Sequence, residues 1–434
     1  MPGTKQKNIF SRQERRIAFC NIDEDDMSRI IIFTGKGGVG KTSIIAAHAL
    51  RSAREEKRTL LVSADMAHNL GDVFEVETLG ECTEVESNLS ILELDPDRIM
   101  REDYPNLNKS IAEMISTGSR MSGGLSSQFM IPGLEDLFSL LRIRDLYNSG
   151  EYDRILVDCA PSGETLSLLK LPELLEWYME KFFPVGKLMT RVLSPVSNAL
   201  YKVKLPDSEA MDQISRMHRN LVELQELLKN PGICSVRLVT LPEKMVGEET
   251  KRTYMYLNLY GYHIDRLFIN RVLAPQPDNP FMENWRGIQQ QYIDEMESVF
   301  VSIPITKIPW YSDEVKGIYA VDRLGRDLPD NRELFDTEYL SKDGSPALFG
   351  AETYEPVEGG YCMKLRVPGA ASVSGFEKKA GPALSLQLHD LDLDIRADNV
   401  LRRIPLPNTL RGAKITDAKV EDGILRVVFC TDPK

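Results

Sequence analysis

The sequence contains no run of eighteen apolar residues, although 42% of its 434 residues are hydrophobic. A helix that crosses a membrane needs such a run, so we expect no integral membrane span, and any membrane role would depend on a partner. Basic residues are also in deficit, because the formal net charge is −12. Binding to nucleic-acid phosphates needs clustered lysine and arginine, so this charge argues against nucleic acid as a partner.

Cysteine is scarce and scattered, and no two cysteines form a C-x-x-C pair. The six cysteines are Cys20, Cys82, Cys159, Cys234, Cys362 and Cys430. This usage is typical of buried thiols in a reducing cytosol, which favours a cytoplasmic location. Residues 1–27 have no hydrophobic signal-peptide core and read as an N-terminal arm. The plastid stroma is an alternative location, although a transit peptide would normally lack the acidic cluster at residues 23–26.

What the sequence does contain is a glycine-rich loop, GKGGVGKT, at residues 35–42. An apolar strand precedes the loop at residues 30–33 and a helix follows from Thr42, so the loop has the context of a phosphate-binding loop. Glycines let consecutive backbone N–H groups surround phosphate oxygens, Lys41 suits the β- and γ-phosphates, and Thr42 suits Mg²⁺. The predicted nucleotide-binding residues of the loop are Gly35, Lys36, Gly37, Gly38, Val39, Gly40, Lys41, Thr42 and Ser43.

Lys36 is a second lysine in the same glycine turn, where it would repel Lys41 unless an anion lies between them. It is either an ordinary surface lysine or part of the site. The pattern K-G-G-x-G-K-[ST] resembles the deviant P-loop of a nucleotidase class that includes MinD, ParA, nitrogenase iron protein and the ArsA-type ATPases. In that class the early lysine typically reaches the nucleotide of a partner subunit, so Lys36 is a candidate catalytic residue.

Two further predicted strands end in carboxylates, Asp65 and Asp158. The carboxyl ends of parallel strands line the ligand crevice of an α/β sheet, so both carboxylates should lie near Lys41. Phosphoryl transfer depends on positioning and charge stabilisation, which suits Asp158 to holding Mg²⁺ through a water and Asp65 to orienting or deprotonating the attacking water. The alternative for both residues is helix N-capping.

With these residues in view, residues 28–325 resemble the ArsA/guided-entry family, which comprises arsenite-pump ATPases and tail-anchored-protein targeting ATPases. The resemblance rests on GKGGVGKT at 35, SADMAHNL at 63, DCAPSGETL at 158, IPGLED at 131, LPE at 241, INRV at 269 and IPWYSDEVKG at 308. It implies a P-loop α/β fold with a parallel sheet and an inserted helical subdomain, and a homodimer that binds ATP and Mg²⁺.

The same resemblance assigns several residues individually. It implies that Asp65 is the switch I aspartate and Asp158 the switch II aspartate, and that Glu243 meets nucleotide across the dimer. It also implies that Asn270 reads the adenine, for which its amide both donates and accepts, and that Pro309 begins the loop beside the base.

The sequence departs from the family where the eukaryotic targeting factors have a zinc-binding C-x-x-C. The matching residues 281–286 read FMENWR and offer no thiolate, so we expect no structural zinc at the dimer interface. The usual switch I proline is Met66, and the usual switch II T-G-H is replaced at residues 162–164. Binding of arsenite would need converging cysteines, which the spacing does not indicate. We expect Cys159 to be a small buried side chain that fills space in the core.

Two insertions, at about residues 96–130 and 172–230, are rich in methionine and aromatic residues. They form either the core of a helical subdomain or an adaptable groove for hydrophobic client segments, which the resemblance favours.

After a polar linker at residues 326–356, short strands at 357–432 predict a small β-sandwich. The sequences LRRIPLP and AKVEDGILRVVF resemble the α-crystallin, or small-heat-shock-protein, domain. An immunoglobulin-like sandwich is the alternative.

The sequence therefore predicts a Mg²⁺-dependent homodimeric ATPase that couples its nucleotide cycle to chaperoning or targeting of hydrophobic membrane-protein clients. The first alternative is an ATPase that drives arsenite transport. The second is a ParA- or MinD-like positioning ATPase, which would need a basic face for DNA or an amphipathic C-terminus, whereas this chain ends in a predicted β-domain.

Overall fold

The structure is a computed structural model, and it is described for eleven stretches of the chain. These are residues 28–64, 70–78, 80–105, 134–159, 208–275, 280–335, 352–357, 359–370, 372–376, 383–397 and 400–430. Residues 106–133 and 160–207, which include most of both predicted insertions, therefore lie outside the described residues, as does the N-terminal arm.

The N-terminal unit is built on one eight-stranded sheet whose order is β3-β4-β2-β5-β1-β6-β7-β8. Its strands are β1 Arg29–Thr34, β2 Thr59–Ser63, β3 Thr83–Glu86, β4 Leu89–Glu93, β5 Arg154–Asp158, β6 Cys234–Thr240, β7 Ile264–Val272 and β8 Ile305–Pro309. All neighbouring pairs are parallel except β3 with β4. The predicted parallel α/β fold is confirmed.

Helices cover both faces of this sheet. The described helices of the unit are α1 Lys41–Ala53, α2 Leu70–Phe74, α3 Pro96–Asp103, α4 Leu134–Ser149, α5 Ser208–Lys229, α6 Lys244–Tyr260, α7 Pro280–Val299, α8 Ile318–Arg326 and α9 Asn331–Phe335. Alternate residues of β1 enter different cores: Ile31 and Phe33 pack with α1 and α8, whereas Ile30 and Ile32 pack with α4 to α7. Because both of their faces are buried, the central strands β1, β2 and β5 are mostly apolar, as the sequence indicated.

The C-terminal unit consists of two four-stranded sheets, with orders β15-β16-β10-β9 and β11-β12-β13-β14. Its strands are β9 Thr353–Val357, β10 Gly360–Arg366, β11 Ser372–Val373, β12 Ala383–His389, β13 Asp392–Ala397, β14 Val400–Pro405, β15 Lys414–Glu421 and β16 Ile424–Cys430. A short 3₁₀ helix spans Asn408–Leu410. Asp422 and Gly423 both have positive φ and join β15 to β16, which is the expected Asp-Gly hairpin.

Regular secondary structure occurs near both ends of the predicted linker at residues 326–356. Residues 331–335 form α9, whose Leu334 and Phe335 are buried against the first unit. The C-terminal sheet begins at Thr353, because β9 pairs with β10 four residues before the predicted domain start at 357. The sequence around residue 330 is polar, but Leu334 and Phe335 pack in the core of the N-terminal unit.

Helix α6 of the N-terminal unit makes hydrogen bonds to the C-terminal unit. Tyr260 donates its hydroxyl hydrogen to the carbonyl of Leu401 over 3.0 Å, and Arg402 donates to the carbonyl of Leu259. Arg402 also pairs with Glu352 at 3.0 Å. A single buried apolar cluster includes residues from α6 and from both C-terminal sheets, so the units share a core.

Within the part of the chain that is described, no helix combines the length and apolar character that a membrane crossing requires.

Candidate functional site

The glycine-rich loop leaves the carboxyl end of β1 and leads directly into α1. Close packing requires two of its glycines: a Cβ on Gly35 would lie 2.1 Å from the carbonyl oxygen of Val239, and a Cβ on Gly40 would lie 2.3 Å from Nδ2 of Asn270. Gly40 has a φ of 92° and forms the N-cap of α1, a left-handed conformation that favours glycine. Gly37 and Gly38 are exposed at the turn. The loop thus has the open backbone expected of a phosphate cradle.

Lys41 is only 6% exposed, and its ammonium group turns back over the loop. Its Nζ donates to the carbonyl oxygens of Gly35, at 3.1 Å, and Lys36, at 3.3 Å. These two carbonyls satisfy part of a buried charge that would otherwise be costly. The ammonium therefore lies against the backbone of the glycine-rich loop.

Thr42 and Asp158 lie together although they are far apart in sequence. The Thr42 hydroxyl donates to Oδ2 of Asp158 over 2.6 Å, and Asp158 is buried at the end of β5. Strand pairing explains the approach, since Phe33 of β1 is in register with Asp158. A hydroxyl and a carboxylate oxygen are ligands suited to Mg²⁺, which keeps several waters and binds substrate phosphates as well. No group of three or more metal-ligating side chains occurs in the described ranges, and a nucleotide-bound Mg²⁺ does not need one.

A cavity of about 520 Å³ opens beside the loop. Its lining includes Gly40, Ser43, Asp72, Val73, Asn270, Arg271, Leu324 and residues 309–316. Asn270 and Pro309, the two residues implied to meet the base, both line it. The size and the mixture of polar and apolar walls suit a planar heterocycle such as a nucleotide base.

The Asn270 amide is already engaged with the loop. Its Nδ2 donates to the carbonyl of Val39 over 2.8 Å, and its Oδ1 accepts from the backbone N–H of Arg271 over 2.9 Å. Asn270 thus joins the wall of this cavity to the glycine-rich loop. The sequence did not single out Asp72, Val73 or Trp310, although Trp310 is 56% exposed in the quoted IPWYSDEVKG motif. A solvent-facing tryptophan directly after a strand was the available signal for Trp310.

Lys36 and Glu243 lie at the same edge of the sheet but do not line this cavity. Lys36 is 37% exposed, and its Nζ lies 3.5 Å from Oε2 of Glu249, a residue of α6 that the sequence did not single out. Glu243 is exposed and occupies the N-cap position of α6 with an extended backbone. The two residues implied to act across a dimer therefore lie outside the cavity that holds Asn270 and Pro309.

Asp65 and the four residues after it lie outside the described residues. The chain just before them is fixed to the site, because the backbone N–H of Ala64 donates to the carbonyl oxygen of Asp158 over 2.9 Å.

His48 packs between α1 and the sheet. It is fully buried in α1, its Nδ1–H donates to the carbonyl of Ile44 over 2.7 Å, and its ring packs edge-on against Phe33 and Phe268. Burial, and secondarily the charge of Arg237, hold the pKa of His48 well below its usual range. The neutral ring serves packing rather than proton transfer.

Comparison with known proteins gives two family matches. Residues 28–330 match the model of an anion-transporting ATPase, ArsA, and residues 358–429 match the HSP20-like domain found in ArsA. The second match agrees with the α-crystallin resemblance.

Several curated relatives are similar over much of the chain. A Chlorobaculum tepidum protein named for an arsenical pump-driving ATPase is 34% identical over 92% of this chain and 96% of its own. An Aquifex aeolicus protein of similar name is 30% identical over 91% of this chain and 98% of its own. The ATPase get3 of Pyrenophora tritici-repentis is 29% identical over 69% of this chain and 91% of its own.

Proposed function

Because the chain belongs to the ArsA family of anion-transporting ATPases, we propose that it is a Mg²⁺-dependent homodimer that uses ATP to chaperone or target hydrophobic membrane-protein segments. Membership of the family establishes an ATP-hydrolysing enzyme. The observation that supports the proposal best is that Lys41, Thr42, Asp158 and the Asn270 cavity meet at one edge of the sheet.

At this edge of the sheet different residues are assigned to the phosphates, the base and the cation. The loop backbone and Lys41 bind the phosphates, Asn270 and Pro309 orient the base, and Thr42 with Asp158 holds the cation. Bound Mg²⁺ would neutralise negative charge on the phosphates during transfer. Asp65 orients or deprotonates the attacking water.

The dimer is proposed from the position of Lys36. Lys36 does not line the base cavity and pairs with Glu249, while Glu243 is exposed at the start of α6. A second copy that supplies Lys36 to the neighbouring nucleotide would explain a lysine held outside its own site. ATP can drive such an association only if it binds the closed dimer more tightly than the open state.

Client binding is proposed from the resemblance to guided-entry ATPases and from the relatives named get3. The described parts of the two insertions are α3 and α5, and the remaining residues of those insertions lie outside the description. The cytoplasm is the proposed location, with the plastid stroma as the alternative.

Arsenite-driven transport is the second candidate, favoured by the names of the bacterial relatives. The placement of the described cysteines argues against it, because Cys234 begins β6 while Cys159 follows the opposite, carboxyl end of β5. Cys362 and Cys430 lie in the C-terminal unit, and Cys82 is exposed. Arsenite requires converging thiols. Stimulation of ATP hydrolysis by arsenite, abolished by substituting cysteines, would favour this candidate over the first.

The test uses the full chain and a defined client. A peptide with a Leu/Ala segment of about 20 residues, long enough to cross a membrane, is compared with one whose segment carries four lysines. The Asp65→Asn variant should bind ATP, fail to hydrolyse it, and retain the apolar peptide in the presence of ATP and Mg²⁺. Equal retention of both peptides, or retention that is indifferent to nucleotide, would contradict the proposed function.

A further inference from the structure

Strand β7 departs from regular pairing at the residue that lines the base cavity. Between two of its pairs with β8 it has two residues, Asn270 and Arg271, where β8 has only Ile308. Such an extra residue is a β-bulge, which bends a strand and redirects a side chain. Arg271 has a φ of 57°, in the left-handed region that residues with a Cβ rarely adopt. An uncommon backbone conformation thus follows Asn270 directly.

Two hydrogen bonds fix the Asn270 amide at this bulge. Its Nδ2 donates to the carbonyl of Val39 in the glycine-rich loop, and its Oδ1 accepts the backbone N–H of Arg271. An amide group has two donor hydrogens and two acceptor lone pairs, so these bonds use one of each. The remaining donor and acceptor are the combination that matches one edge of adenine. The position of the Arg271 N–H therefore sets how that combination is oriented.

Gln289 of helix α7 bonds to the backbone of the same turn. Its Nε2 donates to the carbonyl oxygen of Arg271 over 3.1 Å, and its Oε1 accepts the backbone N–H of Leu273 over 2.9 Å. Both ends of one side-chain amide are therefore attached to the carboxyl end of β7. A continuous series of hydrogen bonds runs from Val39 through Asn270 and Arg271 to Gln289.

Gln289 lies on the face of α7 where an apolar residue would be expected. The buried residues of α7 are Gln289, Ile293 and Met296, which recur at helical spacing. Gln289 is only 8% exposed, and a buried amide is costly unless its polar atoms are hydrogen-bonded. The two bonds to the backbone of β7 satisfy it, and burial protects them from competing water. The amide is thus a firm support for the turn at Arg271.

We propose that Gln289 is a positioning residue for selection of the base: it holds the left-handed turn at Arg271, and this turn orients the Asn270 amide for adenine. Guanine presents two acceptors at the edge where adenine presents an acceptor and a donor, so an amide held in one orientation favours ATP over GTP. The inference rests on the proposed role of Asn270 towards the base. Gln289 itself does not line the base cavity and acts through Asn270.

The main test is Gln289→Met in the full chain, with kcat/KM measured for ATP and for GTP. Methionine keeps the length and the apolar stem of the side chain but cannot make the two backbone bonds. An amide that bonds adenine at two points discriminates between bases by about 5- to 150-fold, so the unsubstituted protein should prefer ATP within that range. Gln289→Met should lower the ATP-to-GTP ratio by about threefold or more. An unchanged ratio would refute the positioning role.

Gln290→Met is the matched control, because Gln290 is the next residue of α7 and its Nε2 donates to Asp294 of the same helix over 2.6 Å. The ATP-to-GTP ratio should not change in this control. Inorganic tripolyphosphate, which has no base, gives a second readout: with Mg²⁺ it should inhibit ATP hydrolysis equally well in Gln289→Met and in the unsubstituted protein. Equal losses of the ratio in both methionine variants, or weaker inhibition by tripolyphosphate in Gln289→Met, would contradict the inference.

Arg271→Val and Arg271→Gly test the turn without altering the buried face of α7. Both substitutions remove the arginine side chain, but valine strongly disfavours a positive φ whereas glycine adopts it readily. The ATP-to-GTP ratio should therefore be about threefold or more lower in Arg271→Val than in Arg271→Gly. Equal ratios in the two variants would refute the inference, and this comparison decides the question should Gln289→Met not fold.

Asn270→Ala separates a failure of this inference from a failure of the base site. We expect the ATP-to-GTP ratio to be highest in the unsubstituted protein, lower in Gln289→Met and lowest in Asn270→Ala. If Asn270→Ala lowers the ratio while Gln289→Met does not, only the inference about Gln289 fails. If Asn270→Ala and the unsubstituted protein have the same ratio, the proposed role of Asn270 towards the base fails, and the inference about Gln289 fails with it.

Discussion

The ion pair between Lys36 and Glu249 gives the sharpest prediction about association. If Lys36 acts on the nucleotide of a second copy, it must first leave Glu249, whose Oε2 lies 3.5 Å from its Nζ. Replacing Glu249 by glutamine removes that attraction and frees Lys36. Glu249→Gln should therefore strengthen ATP-dependent dimerisation rather than weaken it.

The size of the effect follows from the exposure of the pair. Lys36 and Glu249 are 37% and 31% exposed, so solvent screens their attraction and about 0.2–1 kcal/mol is expected for each pair. A dimer releases two lysines, which gives about 0.4–2 kcal/mol, or a dissociation constant lowered by about 2- to 30-fold. The gain should shrink as salt is raised, since the pair is partly exposed.

The assay is sedimentation of the full chain over a concentration series with Mg²⁺ and a non-hydrolysable ATP analogue. Glu248→Gln is the matched control, because Glu248 is the preceding residue of α6 and pairs with Lys251 at 3.0 Å instead of with Lys36. In a Lys36→Ala background, Glu249→Gln should have no effect on the dissociation constant. A weaker or unchanged dimer in the single variant Glu249→Gln would refute the cross-subunit role of Lys36.

Three further predictions concern the loop and the core. Thr42→Val removes the hydroxyl bonded to Asp158 and should raise the Mg²⁺ concentration for half-maximal hydrolysis by about tenfold, with unchanged binding of nucleotide in Mg²⁺-free buffer. Gly35→Ala forces a methyl group against a backbone carbonyl of β6, so it should lower the melting temperature and abolish nucleotide retention. In Gly38→Ala no atom lies within 4 Å of the added Cβ, so the free energy of unfolding should fall only by about 1–2 kcal/mol, because of the left-handed backbone. Burial lowers the pKa of His263 from 6.5 to about 4, so the folded state favours the neutral ring. The stabilisation that this gives to the folded state is fully present above pH 6.5. It is lost as the pH falls towards 4, which lowers the free energy of unfolding by about 3 kcal/mol in all. His263→Asn should therefore flatten the fall of the unfolding free energy between pH 6.5 and pH 4, and an equally steep fall would count against this account.

The sequence predicted the sites that depend on local pattern. A glycine loop between a strand and a helix, and an aspartate at the end of a strand, are readable because strand ends of a parallel sheet converge. The contact of Thr42 with Asp158 follows from that rule alone. The Asp-Gly hairpin before Ile424 was readable for a similar reason, because few residues tolerate two positive φ angles in succession.

Contacts between distant segments were not readable. Glu249 and Gln289 are ordinary polar residues in sequence, and only packing brings one beside Lys36 and the other beside Arg271. The packing of the segment around residue 335 was not readable for the same reason. Arg29 donates to the carbonyl of Phe335, and Arg237 donates to the carbonyl of Leu334, so strands far away in sequence retain α9.

Helix α6 joins the features that the sequence treated as separate. Near its first turns Glu249 pairs with Lys36 of the phosphate loop, and at its last turn Leu259 and Tyr260 bond to Arg402 and Leu401 of the C-terminal unit. A helix of 17 residues is about 25 Å long and moves as a stiff body. Any shift of α6 that releases Lys36 must therefore either carry the C-terminal unit with it or break those bonds. Since coupling between two sites is reciprocal, the state of the C-terminal unit must in turn bias the freedom of Lys36.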